Sequence, residues 1–207
     1  MKMIKICGIT NLEDALSAQG FGATALGFVF SESKRRIDPD SAKKIIDSIK
    51  RDHIMIVGVF VNETTEKVKE IQGYCKLDAI QLHGDESSEF CGLFEDIKTI
   101  KAFRMRDESV LNEMALYKDL FAYLLDAYSD EAYGGTGKSF NWDLAIKAKS
   151  IGRPIILSGG IGLDNAKDAI KRVLPYGLDI SSSIEIRPGK KDPEKMRELI
   201  NLIKNLD

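Results

Sequence analysis

Lys2-Met3-Ile4-Lys5-Ile6-Cys7-Gly8-Ile9-Thr10 reads as a short β-rich run that stops on one reactive side chain and then on glycine. The same grammar recurs down the chain. Phe121-Ala122-Tyr123-Leu124-Leu125 ends in Asp126, Ala79-Ile80 leads into Gln81-Leu82-His83-Gly84, and Ile155-Ile156-Leu157 ends in Ser158-Gly159-Gly160. Parallel strands that carry polar or ionisable groups at their carboxyl ends gather those groups in one place. The pattern predicts an enzyme.

Working outward from these runs, strands are expected near Met3–Cys7, Ala25–Val29, Met55–Val61, Ala79–Leu82, Lys98–Phe103, Ala122–Asp126, Pro154–Ser158 and Leu178–Ser181. Several are continuous apolar runs, as expected of strands covered on both faces. Amphipathic segments lie between them. Asn11 can cap a helix over Asn11–Gln19 with Leu12, Ala15, Leu16 and Gln19 on one face. Ser41–Ile49 repeats the device with Ala42, Ile45, Ile46 and Ile49, and Pro193–Ile203 with Met196, Leu199, Ile200 and Ile203. Eight βα units without a break in composition predict an α/β fold, a single (β/α)8 TIM barrel over residues 1–207. An open doubly wound sheet is the rival, and it normally has fewer strands or more chain.

A chain of 207 residues buries roughly 70% or more of its unfolded surface, so neither disulfides nor metal are needed to hold it together. Its 30 Lys+Arg against 32 Asp+Glu create no field that seeks nucleic acid. Cys7, Cys75 and Cys91 are odd in number and widely spaced, which argues against a disulfide framework or a zinc site. Lys2 and Lys5 interrupt any apolar leader, and the longest apolar stretches fall far below the ~20 residues that cross a bilayer. A soluble cytoplasmic protein is expected.

Two glycine motifs fail on inspection. Gly134-Gly135-Thr136-Gly137-Lys138-Ser139 lacks the first glycine of a P-loop, because Ala132 stands there. A loop that closes over a site is the better reading. Gly160-Ile161-Gly162-Leu163-Asp164-Asn165 lacks the third glycine of a dinucleotide fingerprint. After strands 7 and 8 of a barrel, exposed backbone N–H groups bind phosphate instead. Ser158-Gly159-Gly160 and Ser181-Ser182-Ser183 supply small residues at both places, so a phosphorylated small molecule is the expected substrate.

Cys7 at a strand end reads either as a small buried hydrophobe or as a base, and a base needs thiolate character. Asp126 reads as a carboxyl that burial keeps protonated, or as one tied to backbone amides or Lys138. Each unit of upward shift costs about 1.4 kcal/mol, which a fold tolerates mainly where function requires it. A thiolate base on strand 1 and a carboxylic acid on strand 6 can move two protons on one small substrate, which is isomerisation. His83 and Gln81 read as pocket hydrogen-bonding groups, with His83 also open to a second base role or a structural one.

Lys5-Ile6-Cys7-Gly8-Ile9-Thr10, Gly27-Phe28-Val29-Phe30 with Ser33-Lys34-Arg35, Gln81-Leu82-His83-Gly84, Leu125-Asp126 and Leu157-Ser158-Gly159-Gly160-Ile161 together resemble the phosphoribosylanthranilate isomerases. The resemblance runs in order from residue 5 to Asp192. It implies an Amadori rearrangement of N-(5-phosphoribosyl)anthranilate in tryptophan biosynthesis, with Asp126 as general acid and Cys7 as general base. It implies no metal or organic cofactor, because the substrate's own amine becomes the electron sink. It places Arg35, rather than Arg36, on the anthranilate carboxylate, where a bidentate pair suits the task. It also implies substrate contacts from Gln81, His83, Gly159, Gly160, Asp179, Ser182 and Ser183. At Ser183 the family usually has glycine; if φ there is positive, serine costs ~1 kcal/mol. The histidine-pathway Amadori isomerase is a rival that normally uses two carboxylates, so Cys7 argues against it. A barrel that binds sugar phosphates without turnover is the rival outside catalysis. No nucleic-acid or membrane partner is expected, and the chain is expected as monomer or homodimer.

Overall fold

The computed structural model describes residues 1–127 and 142–206. Among them, eight strands close into a barrel: β1 (Met3–Cys7), β2 (Ala25–Val29), β3 (Met55–Phe60), β4 (Ala79–Leu82), β5 (Lys98–Met105), β6 (Ala122–Ala127), β7 (Ile155–Leu157) and β8 (Gly177–Ile180). All neighbours pair in parallel. β8 closes onto β1 through the register Lys5↔Asp179 and Ile6↔Ile180. The expected strands are all present, with ends within two residues of those read from the sequence. The stretch Gly134-Gly135-Thr136-Gly137-Lys138-Ser139, read as a closing loop, lies outside the described residues.

The strands alternate with α1 (Leu12–Phe21), α2 (Pro39–Ser48), α3 (Thr65–Cys75), α4 (Ser88–Gly92), α5 (Ser109–Met114), α6 (Trp142–Ala148), α7 (Ala166–Val173) and α8 (Pro193–Lys204). Among the described residues, no helix is long and apolar enough to cross a membrane. Helix starts follow local chemistry. Asp38 accepts from the Ser41 N–H at 2.9 Å ahead of Pro39, and Asp192 accepts from the Glu194 N–H at 3.0 Å ahead of Pro193. Such caps contribute about 1 kcal/mol each, and proline at the first helical position loses no bond. α2 buries Ala42, Ile45 and Ile46, and α8 buries Met196, Leu199, Ile200 and Ile203, the faces expected from their spacing. Each fully buried Ile or Leu contributes about 1.5–3 kcal/mol.

α1 departs from its expected face. Asn11 caps it as read, yet Leu12 and Leu16 are 39% and 46% exposed, and Asp14, Ala15 and Ala18 are buried. The cause is electrostatic. The Asp14 carboxylate accepts from the Lys191 N–H at 2.8 Å and the Lys190 ammonium at 2.9 Å, which turns that side of the helix inward. Those lysines belong to a hairpin not anticipated from the sequence, β9 (Glu185–Arg187) against β10 (Lys190–Lys191), between β8 and α8.

Candidate active site

Strand period two sorts the barrel interior into storeys. Met3, Ala25, Val57, Ala79 and Ile156 pack into an apolar floor. One step up, Lys5, Gln81 and Asp179 are polar yet nearly sealed from solvent. At the carboxyl ends stand Cys7, His83 and Asp126, lining a cavity of about 500 Å³ with Arg35, Ser158 and Asp179. A shallower groove beside α8, near Leu163 and Arg197, shows no such convergence of reactive groups.

Cys7 sits between opposed charges. Burial pushes its thiol up, the Asp179 carboxylate adds to that, and Lys5 and Lys191 pull back without cancelling the rise. Lys5 donates to Asp179 and to Gln81 Oε1, both at 2.8 Å. Burial alone would lower the Lys5 ammonium, but Asp179 and Cys7 hold it above its ordinary value. Gly27 is required here by space: a Cβ would stand 2.8 Å from Cys7 Sγ and 3.1 Å from Lys5 Cε.

Asp126 is 2% exposed, and each of its oxygens has a partner. Oδ1 accepts from the Ala127 N–H at 2.9 Å, and Oδ2 lies 3.1 Å from His83 Nε2. His83 Nδ1 lies 2.7 Å from Gln81 Nε2. Behind the carboxyl, Gly159 has φ 74°, and a Cβ there would approach Ala127 N to 2.3 Å. The glycine therefore serves strand packing as well as the loop.

The two arginines of the doublet part company. Arg35 lines the central cavity and grips Glu185 through Nε at 2.9 Å and Nη2 at 2.7 Å. Arg36 is exposed and faces a second groove with Asn11 and Arg187. Glu185 also accepts from the Lys191 ammonium at 2.9 Å, and that ammonium donates to the carbonyl of Cys7 at 2.6 Å. Burial would raise the Glu185 carboxyl, but Arg35 and Lys191 outweigh it and hold it below the usual range. A carboxyl with a depressed folded-state pKa stabilises fully above its unfolded value, near 4.3, and the contribution fades as pH falls through the lower folded value. Glu185→Gln is expected to cost about 3 kcal/mol at pH 7 by stranding two cations, with the deficit shrinking toward pH 3 in urea unfolding. An equal deficit at both pH values would contradict the ion-pair account.

Of the small residues in the last two loops, Ser158 and Ser181 line the central cavity, and Gly159, Gly160, Ser182 and Ser183 follow them along the chain without lining it. Gly159 and Gly160 both have φ 74°. Asn165 Oδ1 accepts from the Gly162 N–H at 2.9 Å at the start of α7. Ser182 and Ser183 form a short 3-10 turn that extends to Ile184. Ser183 is not at positive φ, so the conditional strain does not arise; its hydroxyl donates to the Ile161 carbonyl and ties the two loops together.

The structure thus brings Cys7, Asp126, Arg35, Gln81, His83 and Asp179 into one site, with Gly159, Gly160, Ser182 and Ser183 beside it. Sequence reasoning overlooked Lys5, Lys191 and Glu185. Lys5 had a signal: it stands two residues before Cys7 on the same strand face. Lys191 and Glu185 had none, because their burial depends on the hairpin.

Residues 4–202 match the family model described as N-(5'-phosphoribosyl)anthranilate (PRA) isomerase. The N-(5'-phosphoribosyl)anthranilate isomerase of Geotalea uraniireducens is 51% identical over 207 residues, covering 100% of both chains. That of Geobacter sulfurreducens is 49% identical over 205 residues, covering 99% of each. Among solved structures, the phosphoribosylanthranilate isomerase of Thermotoga maritima superposes with a TM-score of 0.92 at 41% identity, covering 100% of both chains. A structure of the isomerase with reduced 1-(o-carboxyphenylamino)-1-deoxyribulose 5-phosphate gives 0.89 at 39% identity, again over 100% of both chains.

Proposed function

The chain belongs to the N-(5'-phosphoribosyl)anthranilate isomerase family, and we propose that its barrel mouth converts N-(5-phosphoribosyl)anthranilate to 1-(2-carboxyphenylamino)-1-deoxyribulose 5-phosphate by general acid–base catalysis. One observation carries the assignment of roles: a buried thiol on β1 and a buried carboxyl on β6 line the same cavity. Asp126 gives its proton to the furanose ring oxygen as the C1–O bond breaks, and the amine lone pair forms the Schiff base. Cys7 removes the C2 proton, the electron pair moves into the imine, and the resulting enolamine tautomerises to the ketone. Each proton transfer by a positioned group contributes typically about 10²–10⁴-fold.

Binding follows the same geometry. Arg35 takes the anthranilate carboxylate through Nη1, which the Glu185 pair leaves unused. The backbone at Gly159 and Gly160 and the turn at Ser182–Ser183 hold the phosphate, as loops after strands 7 and 8 do in such barrels. Asp179 offers a carboxylate oxygen to a sugar hydroxyl. We place the enzyme in the cytoplasm as one barrel per chain, monomeric or homodimeric; a Thermotoga maritima relative is described as dimeric.

Steady-state turnover of freshly generated phosphoribosylanthranilate, followed by loss of its fluorescence, tests the reading. Rapid turnover that disappears in Cys7→Ala and Asp126→Ala supports it, and no turnover with tight product-analogue binding would make this a binding barrel. Arg35→Ala is expected to weaken product-analogue affinity by about tenfold or more, and Arg36→Ala by less than about threefold. The reverse ranking in a titration would move the carboxylate clamp one residue along.

A further inference from the structure

We propose that Lys5 is a positioning residue for the acid: its ammonium, acting through the Gln81 amide, fixes His83 as the tautomer that donates Nε2–H to Asp126. The inference rests on Asp126 being the acid of the reaction above. The argument is one of donors and acceptors. A lysine ammonium only donates, so the Gln81 atom 2.8 Å from Lys5 Nζ is the carbonyl oxygen. The amide nitrogen then faces His83 Nδ1 at 2.7 Å and can only donate to it. Nδ1 accepts, so the ring carries its single proton on Nε2, 3.1 Å from Asp126 Oδ2. One charge on β1 thus sets the direction of three hydrogen bonds across to β6.

The direction matters for catalysis. With Nε2–H donating, both carboxyl oxygens of Asp126 accept from fixed protein donors, and the acid's own proton stays free to go to the substrate. With the opposite tautomer, the Nε2 lone pair would face Oδ2 and draw that proton into an internal bond. Lys5 is also locked in place by Asp179, so the ammonium cannot rotate away from Gln81 without abandoning an ion pair. Lys5 also stands two residues before Cys7 on the same face of β1, so the network that orients the acid starts on the strand that carries the base.

The test reads the tautomer directly by two-bond 15N–1H correlation in labelled protein. There are two histidines, so His53→Gln assigns the His83 signals. Wild type is expected to show Nε2–H with an unprotonated Nδ1. Gln81→Glu places an acceptor opposite Nδ1 while leaving Lys5 beside Cys7; it is expected to switch the ring to Nδ1–H and lower kcat about 100-fold with KM within about threefold. Lys5→Met should give a mixture of tautomers, and if it does not fold, Gln81→Glu carries the test. Nδ1–H in wild type, or an unchanged Nε2–H tautomer in Gln81→Glu, would overturn the proposal. Absence of wild-type turnover on the same sample would overturn the isomerase reading alone, because the tautomer is seen without it.

Discussion

Asp126→Asn is expected to lower kcat by about 10³–10⁴-fold, equivalent to about 4–5.5 kcal/mol of barrier, with product-analogue affinity within about threefold of wild type. The substitution keeps the shape of the side chain and removes the proton it delivers. The surroundings make it a clean probe. An asparagine can keep its carbonyl oxygen on either the Ala127 N–H or the His83 Nε2–H, so the local fold loses at most one hydrogen bond. That loss is worth about 1 kcal/mol of stability and cannot account for three decades of rate. More than about a tenth of wild-type turnover would remove Asp126 as the acid.

Cys7→Ser is expected to cost about 10³-fold in kcat, because a hydroxyl gives up its proton far less readily than a thiol in the same place. The change is nearly isosteric, so the packing against Gly27 is retained and the loss reports on ionisation. Burial already holds the Cys7 thiol above its ordinary value, with Lys5 and Lys191 limiting the rise. A serine would face the same burial from a much less favourable start. Single-turnover rates that stay within about tenfold of wild type would hand the base to another group.

Much of the fold was legible in the sequence for one reason: barrel strands covered on both faces are apolar runs, and the break at each end is abrupt. Cys7, Asp126, His83 and Gln81 were visible because they stand at those breaks. Arg35 and Arg36 were separated by resemblance, and the structure turns them to different grooves. The hidden half of the site consists of charges whose burial is compensated from far away. Lys5 looks like an interruption of an apolar strand until Asp179 and Gln81 are placed around it. Asp14 reads as the wet face of α1, and its true position depends on Lys190 and Lys191, 176 and 177 residues further on. Periodicity registers a side chain's polarity and has no access to a partner brought in by the closure of the barrel.

That closure has a consequence for the newborn chain. Lys5, Gln81 and Cys7 leave the ribosome early, but Asp179 follows 174 residues after Lys5, and Lys191 is 184 residues from Cys7. Until then a cation and a thiol meant for the interior have no counter-charge, and β1 has one free edge. Contacts at such separation form late and slowly. A nascent chain that has completed seven strands therefore still lacks Asp179 and Lys191, the two groups that meet Lys5 and the Cys7 carbonyl in the closed barrel.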